Sequence, residues 1–377
     1  MSNSADVAII GGGIIGLSAA YSLAKAGLSV AVFDRTEFGR EASWAGAGII
    51  PPGNPERAAT PIDQLRAIGS VRFPRFSAEL REVTGIDNGY RPCGGIEFLQ
   101  PTDEEVVRLW NAEGITFEKL TPARLHELEP SVAQPSGEPY YLPQCAQVRN
   151  PWHLRALVAA CERQGIAIHK HQAIRQIETS GDRVRSIRFG DGESFHAGTY
   201  LLAAGAWSGA FLQPLGFQPL IQPVRGQIVL LHAPGCQLQR IIMLGKEYLV
   251  PRGDGRVLIG STEEPEAGFE KANTEAAVAH LRALACKTVP ALAEARMETC
   301  WAGLRPGSPD GLPFLGSVPG VKNLFIAAGH FRAGVQLSLG TTQVICDLIQ
   351  GRQPGIALED FRLDRSTSAP RRSAFRS

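Results

Sequence analysis

Apolar and polar positions alternate along this chain in blocks, and the first blocks already define a unit. Residues 6–10 are an unbroken apolar run after one acid, the pattern of a strand buried on both faces. Gly11-Gly12-Gly13-Ile14-Ile15-Gly16 follows, then a helical pattern over 17–26 that Gly27 ends. A second apolar run, 29–33, finishes at Asp34. The order is β-α-β.

Further along, residues 61–83 predict a helix, with Leu65, Ile68, Val71, Phe73 and Phe76 spaced for one buried side. Residues 90–99 read as a strand, and 102–113 as a helix opened by the capping box of Thr102 and Glu105. A helix over 151–164 precedes four strand-like runs at 166–169, 174–178, 184–188 and 199–203. Three or four strands are expected between 226 and 261, with Pro, Gly and Asp at the turns. The rest is a helix over 273–287, a buried strand over 325–328 and a long apolar helix over 334–350.

Dinucleotide-type features recur near 10–50, 174–208 and 325–350, with β-rich sequence between them. The expected fold is α/β: a Rossmann-like domain made of 1–88, 147–220 and 300–364, interleaved with a β-rich α+β substrate-binding domain made of 89–146 and 221–299. Residues 365–377, polar and basic, read as a flexible tail.

Charge narrows the function. Lys and Arg total 38 against 37 Asp and Glu, a net charge of +1, which offers no electrostatic footprint for nucleic acid or an anionic membrane. No stretch reaches the ~18–20 apolar residues of a membrane span, and the N-terminus lacks a targeting pattern. A cytoplasmic protein is expected. The seven cysteines are scattered without a C-x-x-C pair, and the histidines show no i, i+4 pairing, so no disulfide framework or metal site is expected.

The candidate chemistry begins at the glycines. In Gly11-x-Gly13-x-x-Gly16, Gly11 makes a tight turn and Gly13 admits a pyrophosphate to the backbone. Gly16 lets the helix approach the sheet, and the amides at the helix start, Ile14 and Ile15 among them, face the phosphates. Asp34, followed by Arg35, is placed to accept from a ribose hydroxyl. Small residues from Ala42 and Ser43 through Ala47, Gly48 and Ile49 allow a flat ring system to lie against backbone, as does the turn at Gly205 after the apolar run 201–204.

The N-terminal fingerprint, Ala204-Gly205-Ala206-Trp207-Ser208, Pro223-Val224-Arg225-Gly226-Gln227, Trp301-Ala302-Gly303-Leu304-Arg305-Pro306 and Ala327-Ala328-Gly329-His330-Phe331-Arg332-x-Gly334 together resemble the FAD-dependent amine oxidases of the D-amino-acid oxidase superfamily. Within it the likeness is to the glycine oxidase family of bacterial thiamine biosynthesis, over nearly the whole chain. The resemblance implies non-covalent FAD held by the fingerprint, by Ile174 and by His330, Phe331, Arg332, Ala333, Gly334 and Val335. It also implies a substrate carboxylate held by Arg305 with Tyr248 and Arg332, and a homo-oligomer. The reaction implied is oxidation of a small amino acid, with O2 reduced to H2O2. Arg suits the carboxylate role because its planar fork meets both oxygens. Sarcosine, a D-amino acid or proline remain alternative substrates, and a tRNA-modifying flavin oxidase is an alternative of another class. The chain departs from the family at Ala42-Ser43, where a threonine pair is usual, at the bulky Trp44, and over 51–57.

Overall fold

A computed structural model describes residues 4–133, 136–218, 221–367 and 375. Two eight-stranded sheets carry the chain, and the first begins with the unit read from the sequence. Its spatial order is Phe314–Ser317, Leu324–Ala328, Ser194–Leu202, Ser4–Ile10, Val30–Phe33 and Ala167–His169, parallel except for the edge strand Phe314–Ser317. Alternation along Ser4–Ile10 shows why its apolar run is continuous. Val7 and Ile9 enter one core, with the helices Ile14–Lys25, Pro61–Thr84, Asn150–Arg163 and Gly334–Ile349. Ala8 and Ile10 enter another, under the antiparallel strands Ile174–Ser180 and Arg183–Phe189. Both faces are covered, as a parallel sheet requires.

The second sheet runs Arg296–Gly307, Gln222–His232, Arg256–Gly260, Glu247–Pro251, Ile241–Leu244, Gly95–Leu99, Glu138–Leu142 and Glu118–Lys119. One face packs on the helix Glu275–Thr288 through Leu281 and Ala285. The other face turns toward the first sheet and bounds the cavity described below.

Several expectations are corrected. The first helix starts at Ile14, not 17, and the strand expected over 90–99 is only Gly95–Leu99, because Gly94 turns the chain at φ 73°. The helix expected at 102 begins as a tight turn, Pro101–Asp103, before Glu104–Glu113. Its box is made by Gln100 and Asp103, since Pro101 supplies the preset φ of a first helical position. The strand Arg296–Gly307 pairs along its length with Gln222–His232 in the second sheet. Arg365 is held to the first sheet, its guanidinium meeting both Asp310 oxygens at 2.8 and 2.9 Å. Phe375 is also buried, with Trp110 and the Arg66 guanidinium against its ring. Residues 368–374, 376 and 377 lie outside the described residues.

Candidate active site

The glycine turn is built from close approaches. Gly11 has φ 113°, and a Cβ there would sit 2.3 Å from the Ala203 carbonyl oxygen; a Cβ on Gly16 would sit 2.0 Å from the Gly11 oxygen. Neither position admits a side chain. The Gly12 amide donates to Asp34 Oδ2 at 2.8 Å, and the Ile14 amide to Ser43 Oγ at 3.0 Å. Asp34 therefore fixes the turn, with Oδ1 accepting from the Thr36 amide and hydroxyl. A carboxylate has about four acceptor sites, so capacity for a ribose hydroxyl remains. The Arg35 guanidinium sits over the Trp207 ring, 3.7 Å from its centroid, and pairs with Glu41 at 3.3 Å.

From this turn a cavity of about 530 Å³ runs to the second sheet. Gly11, Gly13, Ile14, Ile15, Asp34, Arg35, Ala42, Ser43, Ala47, Gly48, Ile49, Ile174, Gly205, His330, Phe331, Gly334 and Val335 all line it, as do Arg305, Arg332 and Tyr248. Gly16 and Ala333 do not. Gly16 serves the packing of the turn, and Ala333 is buried as the N-cap of Gly334–Ile349. Phe331 holds φ 44°, a left-handed conformation that costs a side-chain-bearing residue about 1–2 kcal/mol. It turns the chain into that helix, whose N-terminal amides aim positive charge at the cavity.

At the second sheet two side chains lean over glycines. A Cβ on Gly226 would lie 2.2 Å from the Arg305 guanidinium, and one on Gly260 would lie 2.8 Å from the Tyr248 ring. Arg305 donates to the Thr262 carbonyl at 2.9 Å and to Ser261 Oγ at 2.5 Å. It forms no ion pair among the described residues. Burial, and then the nearby Arg332 charge, hold its guanidinium down at about 10 against the opposing pull of Tyr248 and Glu263, so it stays cationic at neutral pH. Arg332 differs: it pairs with Glu263 at 3.0 Å and also donates to the Lys246 carbonyl. His330, fully enclosed, is lowered to about 4 by burial and is neutral, with Nε2 3.0 Å from Thr341 Oγ1. Cys300 belongs to the opposite-face core with the helix Glu275–Thr288.

The glycine cradle and the lining of the cavity, which reaches from the glycine turn to the second sheet, fit a dinucleotide with an attached ring system. The turn and Ser43 would hold its phosphates, and the small residues 45–49 its ring. Sequence reasoning missed Ser261, Thr262 and Glu263, which hold the two arginines, and the cavity-lining Arg175, Trp207, Met243 and Glu97. One signal was present: Gly226 and Gly303, paired across two long strands, mark where bulk is kept out.

The model of the DAO family, described as FAD dependent oxidoreductase, matches residues 6–348. Glycine oxidase of Pseudomonas aeruginosa is 36% identical over 353 residues, covering 93% of this chain and 96% of that protein. The crystal structure of glycine oxidase from Geobacillus kaustophilus superposes with a TM-score of 0.91 at 31% identity, covering 97% and 100% of the two chains. The bifunctional protein ThiO/ThiG of Synechocystis is 33% identical, and the match spans 97% of this chain and 54% of that longer one.

Proposed function

This chain belongs to the DAO family of FAD-dependent oxidoreductases, and from that premise we propose that it oxidises glycine, or another small amino acid, to the imine, which water converts to glyoxylate and ammonia. The glycine turn and the small residues 45–49 would hold FAD, which would supply the acceptor for the substrate's hydride and the route by which O2 is reduced to H2O2.

The observation that carries this reading is Arg305. A half-buried guanidinium with no ion pair among the described residues favours the arrival of an anion, and a substrate carboxylate is that anion. Arg305 anchors it through two parallel N–H bonds, with the Tyr248 hydroxyl alongside. Anchoring one end of the substrate sets its Cα at a fixed place in the cavity, which is the chain's main contribution to rate. Arg332, already paired with Glu263, orders the cavity wall. With Cys300 packed on the far face of its strand, the reading takes FAD as non-covalent. Glycine as substrate, and a place in supplying the imine for thiazole assembly, rest on the relatives' names and the family resemblance.

One experiment tests the whole. The purified protein should show flavin absorbance that bleaches when glycine is added without oxygen and returns with H2O2 when air is admitted. Bleaching by sarcosine or a D-amino acid but not glycine would move the substrate. Return only with an added dye would make it a dehydrogenase, and a protein unable to take up FAD would refute the reading.

A further inference from the structure

We propose that Glu263 sets how much negative charge the cavity accepts from a substrate. By holding Arg332 in an ion pair it leaves Arg305 to anchor one carboxylate, and so selects amino acids with one carboxylate over those with two. This rests on the amino-acid reading above and names the class of substrate turned away.

The backbone brings the two arginines to one place. Ser261, Thr262 and Glu263 are consecutive, with Cα atoms about 3.8 Å apart. Ser261 Oγ and the Thr262 carbonyl accept from Arg305, and the Glu263 carboxylate accepts from Arg332 Nη1 at 3.0 Å. A second contact gives the same placement. Arg305 and Gly307, two apart in the strand Arg296–Gly307, share one of its faces. The Phe331 ring stands 3.6 Å from where a Cβ on Gly307 would lie, so the turn Phe331–Ala333 meets that strand beside Arg305. Both guanidiniums line the cavity, and the Arg332 charge is felt at Arg305.

What separates them is one carboxylate. Arg332 has two of its five N–H donors committed, one to Glu263 and one to the Lys246 carbonyl. Glu263 lies outside the cavity lining, and its other oxygen pairs with the exposed Lys246 ammonium at 2.5 Å. Burial pushes the Glu263 carboxyl up, but Lys246 and Arg332 outweigh it and hold the group below the usual range, so it is ionised at neutral pH. Glu247, next in the chain to Lys246, is taken by His280.

A substrate with one carboxylate brings one negative charge, which Arg305 meets. A second carboxylate would need Arg332 and could take it only from Glu263, whose charge would repel it and would then lose a partner. Selection of this kind works through a repulsive element already in place, not through lack of room. Glu263 acts through Arg332 and is therefore a positioning residue.

The test titrates wild type, E263Q, E263D and R332Q, each loaded with FAD, by calorimetry near neutral pH. The ligands are acetate and the dianions malonate, succinate and glutarate, which differ in the spacing of their carboxylates. E263Q is expected to raise the affinity of one dianion relative to acetate by about 10-fold, the scale of a partly screened charge pair. One length should stand out, because two fixed guanidiniums are bridged best at one spacing. E263D keeps the carboxylate and should keep the ratio near that of wild type. R332Q removes the second guanidinium and should lower the ratio, and this variant decides if E263Q fails to fold. An unchanged ratio in E263Q or R332Q, a gain equal for all three lengths, or a gain in E263D as large as in E263Q would each overturn the proposal. A wild type that binds acetate but is not bleached by glycine would instead overturn the glycine reading.

Discussion

Of the arginines that line the cavity, Arg305 and Arg332 differ in their ion pairing, and that difference decides the role of each. Arg332 is ion-paired with Glu263; Arg305 donates to the Ser261 hydroxyl and the Thr262 carbonyl and forms no ion pair among the described residues. Arg305→Ala should therefore keep its flavin spectrum and lose about 2–5 kcal/mol of transition-state binding, the range for stranding one member of a buried charge pair. Steady-state kcat/KM with glycine measures it, and an unchanged value would remove Arg305 from the site. Gly226→Ala makes the same point without touching the arginine. Its methyl would need the space that Arg305 Nη1 occupies, 2.2 Å away, so activity should fall while FAD content does not. Both arginines were legible as residues. Their difference was not, because Ser261, Thr262 and Glu263 lie more than 40 positions from Arg305.

The helix Ile14–Lys25 and the turn before it act as one element. Gly16→Ala would drive a methyl into the Gly11 carbonyl, backbone that cannot yield as a flexible side chain would. Loss of FAD from the purified variant, read from the absorbance ratio of flavin to protein, is the expected outcome. Ser43→Ala is milder: it removes the acceptor for the Ile14 amide, a bond worth about 1 kcal/mol, and should weaken FAD without abolishing it. The family's threonine pair is absent here, yet the hydroxyl that matters to the turn is present in Ser43. The strand Arg296–Gly307 shows where periodicity fails. It mixes Arg, Glu, Thr and Gly with apolar residues because one face meets a cavity rather than a core, so it carries no clean alternation.

Across the whole molecule, two enclosed histidines link stability to pH. Burial lowers both His153 and His330 from the ordinary value of 6.5 to about 4. Between those values the unfolded chain binds protons that the folded chain refuses, so stability is complete above pH 6.5 and falls as pH drops toward 4. Each histidine contributes at most about 3 kcal/mol. Thermal unfolding from pH 7 to 4.5 should show a falling Tm, and His330→Asn should flatten part of the slope. A constant Tm across that window would mean that these rings are protonated in place. The ion pair of Arg365 with Asp310 works at the same scale, holding the segment around Arg365 against the first sheet.

What the sequence determined by itself was local: the β-α-β order, the glycine spacing, and motifs whose residues are neighbours in the chain. A turn that admits no Cβ must be glycine, and that requirement is written at one position. The folded structure decided what depends on distant partners. Asp34 is spent first on the Gly12 amide, Arg332 is ion-paired and Arg305 is not, and Glu97 stands in one row with Tyr248 although about 150 residues separate them. Charge balance and register across a sheet are properties of pairs far apart in sequence, and only folding brings those pairs together.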